Sequence, residues 1–258
     1  MVLLQDLEKE NYKLKRQLEV AISWMRRNIK EQAQKVSNKK LKKMTLATKS
    51  CFIEENIEEN IIKQIGDFFG DLMLLNIPTS AIENIISAEI NYYNLRKTPS
   101  TDGMTVISSY HKALDILIEN FIVKGFRKFA KKYNQTILYK NDPLEKSLHN
   151  VVNKGYILSI GRLFHLINIL KEDKEKFPYV KCFGNYLDKY KYIKEVLFEE
   201  SFYVIFEELV SSEIFGRKRH IGSMRFVETR KSRSLLIGDF KDKNCLIYKL
   251  LKMQDVVY

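Results

Sequence analysis

DPLEKSLHNVVNKGYILSIGRLFHLINIL, residues 142–170, contains the longest apolar run of this 258-residue chain. Asp142 and Pro143 are typical of a helix N-cap and first helical position, so the stretch predicts a helix that runs to about Leu170. Its apolar side chains cover a broad helical face, which favours a central position in the fold. They are Leu144, Leu148, Val151, Val152, Ile160, Leu163, Phe164 and Ile167.

Helical spacing continues on both sides of this stretch. From Met104, apolar residues recur every three or four positions as far as Phe129, and the segment ends in a basic turn that suits a helix C-terminus. Further helices are predicted over residues 53–75, 80–96, 187–214 with a break near Glu200, 231–236 and 243–253. Because Gly and Pro are scarce and no long strand-like alternation occurs, the sequence predicts an all-α helical bundle over residues 51–258.

Residues 1–35 are predicted to form an N-terminal helix, followed by a basic linker over residues 36–50. Apolar residues in the helix keep a four-three spacing, and Asn11 occupies one position of the seam. They are Leu4, Leu7, Leu14, Leu18, Ala21 and Met25. Two interpretations stay open: a short coiled coil, through which residues 3–35 join a second copy or another protein, and an amphipathic helix packed on its own domain.

The chain is basic, with a net charge of +12 and a pI near 9.4. The charge is uneven, since residues 1–50 carry 13 bases and 5 acids whereas residues 51–100 carry 3 and 8. A basic balance favours phosphate-bearing partners but says nothing about fold. We therefore expect a nucleic-acid partner, with RNA favoured.

The cysteines and the apolar segments indicate the compartment. Cys51, Cys182 and Cys245 lie far apart without a zinc-ligand spacing, which is typical of a reducing cytoplasm. The N-terminus is acidic too early for a secretory signal, and the longest apolar run is too short and too polar to span a membrane. We expect a cytoplasmic protein without membrane contact.

The stretch FGRKRHIGSMRFVETRKSR, residues 215–233, has seven Lys or Arg residues and a single acid, Glu228. A histidine beside arginines can act as acid or base at a phosphodiester without a metal, so His220, Arg217 and Arg219 are the candidate catalytic residues. Arginine forks and lysines also bind phosphates directly. The candidate nucleic-acid-binding residues are Lys218, Arg225, Arg230, Lys231 and Arg233, with Lys39, Lys40, Lys42 and Lys43 from the linker.

The chain lacks the common sequence motifs of nucleotide-binding, esterase-type and zinc-protease sites. The sequence lacks a Walker A loop, G-x-G-x-x-G, G-x-S-x-G and H-E-x-x-H, so we predict no metal and no cofactor. A purely structural interpretation of residues 215–233 also stays open, in which the stretch is a solvated helix face with Met224 and Phe226 buried.

Three passages resemble the HEPN superfamily, helical bundles found in prokaryotic toxins and antiviral RNases. They are YHKALDILIENFI (110–122), LEKSLHNVVNKGYILSIGRLFHLINIL (144–170) and ELVSSEIFGRKRHIGSMRFVETRKSRSLLIG (208–238). The resemblance covers residues 104–253 and implies a metal-independent ribonuclease, whose signature is Arg, four to six residues, then His. For His220 that Arg would stand at 213–215, where this chain has Glu, Ile and Phe. Either the site is rebuilt around Arg217, or the domain is a non-cleaving relative.

The sequence therefore predicts an RNA- or nucleic-acid-interacting, HEPN-like component of a prokaryotic defence or toxin-type system, and leaves cleavage open. Two alternatives remain. The protein is a non-enzymatic adaptor that docks on a larger partner through its coiled coil, or it is a DNA-binding accessory subunit of a larger complex.

Overall fold

A computed structural model describes residues 34–35, 37, 55–133, 142–172, 177–212 and 223–253. Within these ranges every regular element is a helix, which confirms the prediction of an all-α fold. The predicted coiled-coil helix and basic linker fall almost entirely outside the described residues, so both stay predictions.

The chain divides into two compact units, Met1–Cys51 with Phe69–Asn76 and Phe52–Phe68 with Ile77–Tyr258. Helix α1, Glu55–Asn76, has residues of both units and a non-helical backbone at Gly70, with φ 73° and ψ 161°. Glycine adopts a positive φ at little cost, so the interruption falls where the chain tolerates it. The elements that follow belong to the second unit.

The described part of the second unit is a succession of helices after α1. They are α2 (Thr79–Lys97), α3 (Met104–Ile118), α4 (Lys124–Tyr133), α5 (Pro143–Lys154), α6 (Ile160–Lys171), α7 (Pro178–Lys189), α8 (Lys191–Phe198), α9 (Glu200–Ser211), α10 (Phe226–Ile237) and α11 (Leu246–Leu251). A π-helical segment, Glu119–Val123, links α3 to α4, and a 3₁₀ turn, Gly238–Phe240, follows α10.

The central element is the continuous helix formed by α3, the π-helical segment and α4. Its inward residues Tyr110, Leu114 and Phe126 are fully buried. Helix α2 packs along α3, and α5 and α7 pack against α4. The central helix of the bundle is therefore residues 104–133, and the prediction that 142–170 forms it is wrong.

Residues 142–170 form two helices instead of one. Asp142 does cap α5, since its carboxylate accepts hydrogen bonds from the backbone N–H groups of Leu144 (2.8 Å) and Glu145 (3.0 Å). Helix α5 then ends at Gly155, which has φ 72° and ψ 21°. This left-handed conformation is a common helix C-terminal cap that favours glycine. Residues 155–159 form a loop before α6 begins.

The later boundaries agree with the predictions only in part. The predicted break near Glu200 is confirmed, because Glu199 is extended (ψ 127°) between α8 and α9. None of the described helices is long and apolar enough to cross a membrane.

Candidate nucleic-acid interface

Helix α4 has the sequence KGFRKFAKKY, with five bases and no acid. Phe126 and Ala130 turn into the core, which leaves Lys124, Lys128, Lys131 and Lys132 exposed on the opposite side. We call these four residues the lysine surface. They span about 12 Å along the helix at about 1.5 Å per residue.

The charge of the lysine surface is little compensated by neighbouring acids. Among the described residues, Lys128, Lys131 and Lys132 form no ion pair, and Lys124 donates a hydrogen bond to the amide of Asn120 (2.5 Å). Such a cluster creates a positive potential that attracts phosphates.

An aromatic edge formed by Phe129, Lys189 and Tyr190 borders one side of the lysine surface. The Lys189 ammonium lies 5.9 Å from the centroid of the Phe129 ring and 5.8 Å from that of Tyr190. Both rings pack on Tyr186, at centroid distances of 5.8 and 5.0 Å. Phe129 and Tyr190 are both half-buried, and the part of the Tyr190 ring that stays exposed can meet a base.

Gly125 lets α4 approach this edge closely. A Cβ atom at Gly125 would lie 2.5 Å from the Tyr186 hydroxyl oxygen, which no side chain could accept without a shift. The Tyr186 hydroxyl also donates to the carbonyl of Ile122 (3.1 Å), and burial raises the pKa of Tyr186 well above its usual value. Tyr186 is therefore a structural anchor between α4 and α7, and not a titrating group.

Arg127 forms the other border of the lysine surface and is fully engaged inside the protein. Its guanidinium pairs with the carboxylate of Glu119 and donates to the carbonyls of Val151 and Tyr156, at 2.8 Å each. These bonds tie α4 to the end of α5 and to the loop of residues 155–159. Tyr156 and Ile157 in that loop are 58% and 59% exposed.

Many of the residues predicted from the sequence cannot be placed. Arg217, Lys218, Arg219 and His220 lie outside the described residues. So do the four linker lysines, Lys39, Lys40, Lys42 and Lys43. The catalytic assignment and the linker contacts therefore stay predictions.

The rest of the predicted binding set lies on or before α10, and three of its members are exposed: Arg225, Arg230 and Lys231. Acids lie close to them. Lys231 pairs with Glu208 (2.7 Å), and Glu228 accepts a hydrogen bond from the backbone of Arg225 (3.1 Å). All three cations are open to solvent, and the charge of Lys231 is compensated by Glu208.

The prediction that Arg233 contacts nucleic acid is wrong. The residue is only 7% exposed, and its guanidinium donates to both carboxylate oxygens of Glu89, at 2.8 and 2.7 Å. Its central carbon lies 4.4 Å from the ring centroid of Tyr92. It also pairs with Asp239. The physical reason is its place on the inward face of α10, between the buried Thr229 and Leu236.

Arg233 belongs to a buried polar network that joins α2, α3 and α10. The Tyr110 hydroxyl donates to the same Glu89 carboxylate, and burial together with the Glu89 charge raises the pKa of Tyr110. Burial disfavours the charged form of Arg233, but the hydrogen bonds to Glu89 together with the negative charges of Glu89 and Asp239 outweigh it and raise the pKa of Arg233. The network pairs one buried cation with one buried anion, and its role is structural.

Of the two side chains that the structural interpretation of the stretch expects to be buried, Met224 is buried and Phe226 only half-buried. Met224 is 4% exposed, and its N–H donates to the carboxylate of Asp102 (2.7 Å). Phe226 is half-buried and stacks on Tyr92, with centroids 6.1 Å apart. Phe226 is thus engaged with α2.

A second buried cation, Lys249, lies beside Ser201, and the two side chains resemble a Ser–Lys catalytic dyad. Its ammonium lies 2.7 Å from a carboxylate oxygen of Glu199 and 2.6 Å from the Ser201 hydroxyl. Hydrogen bonds from Lys249 and Ser201 lower the pKa of Glu199. Because a carboxylate pairs with the ammonium, Lys249 is not placed to take a proton from Ser201.

The three described histidines differ in their burial and in their contacts. His111 is buried and lies 3.2 Å from the carboxylate of Asp115, whereas His165 is exposed. His149 contacts the Tyr179 hydroxyl at 3.1 Å. Over the described ranges, no three His, Cys, Asp or Glu side chains come together as a metal site.

The lysine surface was missed by our sequence reasoning, although a signal exists. From the sequence, Lys131 and Lys132 are predicted only as the basic end of a helix, but KGFRKFAKKY is the one described helix with five bases and no acid. Plotting it on a helical wheel from the buried Phe126 places all four lysines on one face. The aromatic edge and the position of Arg127 depend on distant contacts and leave no such signal.

Comparisons with known proteins identify no relative. No protein-family model, curated protein or solved structure matches this chain. The resemblance to HEPN proteins accordingly stays a hypothesis that rests on the three quoted passages.

Proposed function

We propose that this protein binds nucleic acid, RNA in preference to DNA, through the lysine surface of α4. The observation that supports the proposal is four exposed lysines without an acid on their helix, beside the half-buried rings of Phe129 and Tyr190. Lysines supply phosphate contacts, and aromatic faces accept stacked bases without demanding a sequence. Membership of a prokaryotic defence system is part of the same hypothesis and depends on the HEPN resemblance.

Phosphate contacts make binding sensitive to salt. Each contact to a single strand contributes about −0.7 to the slope of log affinity against log salt, because neutralised phosphates release counterions. Removing four such contacts should make the slope shallower by about 3, and should weaken binding at about 50 mM salt by tenfold or more.

The test compares two variants with the same net charge. One carries Gln in place of Lys124, Lys128, Lys131 and Lys132. The control carries Gln in place of four other exposed lysines, Lys63, Lys112, Lys241 and Lys252. The probe is a fluorescein-labelled oligouridine of about 20 nucleotides, longer than a typical site of about 4–16 nucleotides. Fluorescence anisotropy over a salt series gives affinity and slope.

We expect the lysine-surface variant to lose affinity and slope while the control stays close to wild type. Equal losses in both variants would show that only the net charge matters. No binding by the wild-type protein at low salt would refute the proposal itself.

Cleavage is a separate question within the proposed function. We expect binding without cleavage, because the position of the HEPN arginine is occupied by Phe215 and its neighbours Glu213 and Ile214. The measurement is the length of labelled RNA after incubation with wild-type protein in EDTA. An EDTA-resistant activity that disappears in His220→Ala would show that His220 is catalytic after all.

A further inference from the structure

We infer that the lysine surface takes a single strand of nucleic acid, and that Tyr156 is a base-stacking residue of that site. The inference rests on the proposed function and adds the class of substrate and the residue that selects it. Neither α4 nor the loop of residues 155–159 contains a binding-site residue that was predicted from the sequence.

The backbone of Tyr156 is held in place while its ring is open. Its carbonyl accepts a hydrogen bond from Arg127 (2.8 Å), and its N–H donates to the carbonyl of Asn150 (3.3 Å). Gly155, with its left-handed backbone, turns the chain away from α5 immediately before it. The ring nevertheless stays 58% exposed. An aromatic side chain on a fixed backbone loses little conformational entropy when it binds a base.

Arg127 places the loop that carries this ring beside the lysine surface. On a helix, residues three and four apart are neighbours, so Arg127 is adjacent to Lys124 and Lys131. By the same rule Lys132 is adjacent to Phe129, at the opposite border. The lysine surface therefore lies between the Tyr156 loop and the aromatic edge, about one helix diameter of 10–12 Å across.

This arrangement distinguishes a single strand from a duplex. A duplex presents phosphates outward and keeps its bases paired and stacked inside, so rings at the borders of a phosphate site have no base face to meet. A single strand can place phosphates on the lysines and turn unstacked bases onto aromatic rings. Two aromatic borders around one phosphate site therefore favour a single strand.

The test uses substitutions that leave the loop intact. Tyr156→Ala removes the ring but keeps the carbonyl that Arg127 holds, and because the side chain is 58% exposed, its removal leaves the fold intact. Tyr156→Phe keeps the ring without the hydroxyl. Ile157→Ala is the matched control, because Ile157 is the next residue, equally exposed, and has no aromatic face. Each variant is titrated by anisotropy against a labelled oligouridine and against an RNA duplex of equal length.

We expect Tyr156→Ala to weaken single-strand binding by about fivefold or more, the effect of one stacked base, and to leave duplex binding unchanged. Tyr156→Phe and Ile157→Ala should both stay within about twofold of wild type, below the effect of one stacked base.

Other outcomes overturn the inference and separate it from the proposed function. If Tyr156→Ala binds the single strand as wild type does while the lysine-surface variant is weakened, the stacking role is wrong and the proposed function stands. Equal losses on both probes, or an equal loss in Ile157→Ala, would assign the loop to general contact with a macromolecule. If the wild-type protein binds neither probe, both proposals fail together.

Discussion

Helices α4 and α10 are both basic in sequence, yet they use their cations in opposite ways. In α4, the inward positions are Phe126 and Ala130, so the lysines point to solvent. In α10, Thr229, Arg233 and Leu236 share the inward face, so one arginine enters the core. A run of bases therefore does not define a binding surface. The position of each cation around the helix, relative to the buried face, decides whether it points to solvent or pairs with a carboxylate in the core.

The largest expected difference between the two helices is in stability. Arg233→Ala should lower the free energy of unfolding by about 3–5 kcal/mol, because it leaves the buried Glu89 carboxylate without its charged partner. Urea denaturation measures the effect. Arg230→Ala, an exposed change on the same helix, should stay within about 0.5 kcal/mol of wild type. A small loss in Arg233→Ala would mean that Glu89 reaches water when its partner is removed.

The next difference concerns affinity for RNA. Lys128→Gln/Lys132→Gln should weaken binding more than Arg225→Gln/Arg230→Gln does, since α10 carries an acid, Glu228, in its first turn whereas α4 carries none. Two lost phosphate contacts make the salt slope shallower by about 1.4 for a single strand. Anisotropy at several salt concentrations measures both slopes. The reverse order would place the main contact on α10, where the sequence analysis expected it.

A smaller effect should appear in the pH dependence of stability. The folded pKa of Glu199 is lowered, chiefly by its hydrogen bond from Lys249, so the carboxylate stabilises the fold above its unfolded pKa of about 4.3. This contribution is lost as the pH falls through the folded pKa. The stability difference between wild type and Lys249→Met should therefore shrink between about pH 5 and pH 3. Thermal unfolding across that range measures it, with Lys241→Met as an exposed control.

The smallest effect is expected for the exposed ion pair of α10. Lys231→Ala removes the contact to Glu208, but both side chains are at least 40% exposed. Exposed pairs contribute about 0–1 kcal/mol, so the midpoint of urea denaturation should hardly move. A loss comparable to that of Arg233→Ala would contradict the contrast between the buried and the exposed cations of this helix.

Local signals in the sequence were sufficient for some features and misleading for others. The Asp142–Pro143 cap and the break near Glu200 could be predicted, because each depends on neighbouring residues. The single helix over 142–170 failed because apolar residues on both sides of Gly155 fit one continuous pattern, although a glycine after Lys154 is a typical helix end.

The candidate site was harder to predict than the fold. Arg233 and Glu89 are 144 residues apart, so nothing near Arg233 in the sequence announces that it is paired. The aromatic edge likewise needs α4 and α7 to pack, and the Tyr156 loop needs Arg127 to reach across to α5. Composition indicated a phosphate-bearing partner, but only the packing of distant helices shows which cations remain available to one.

The π-helical segment between α3 and α4 links the number of residues in this turn to the direction in which the lysine surface faces. The N–H of Lys124 donates to the carbonyl of Glu119, five residues back, so this turn holds more chain than an α-helical turn does. Each residue of an α-helix adds about 100° of rotation. A one-residue deletion within 119–123 would therefore turn this segment into an ordinary α-helical turn and leave the four ammonium groups of α4 facing the same way, whereas the same deletion in a regular α-helix would rotate them by more than a quarter of a turn. The extra residue of this segment is thus a place where the chain can shorten by one residue without turning the lysine surface away from its present direction.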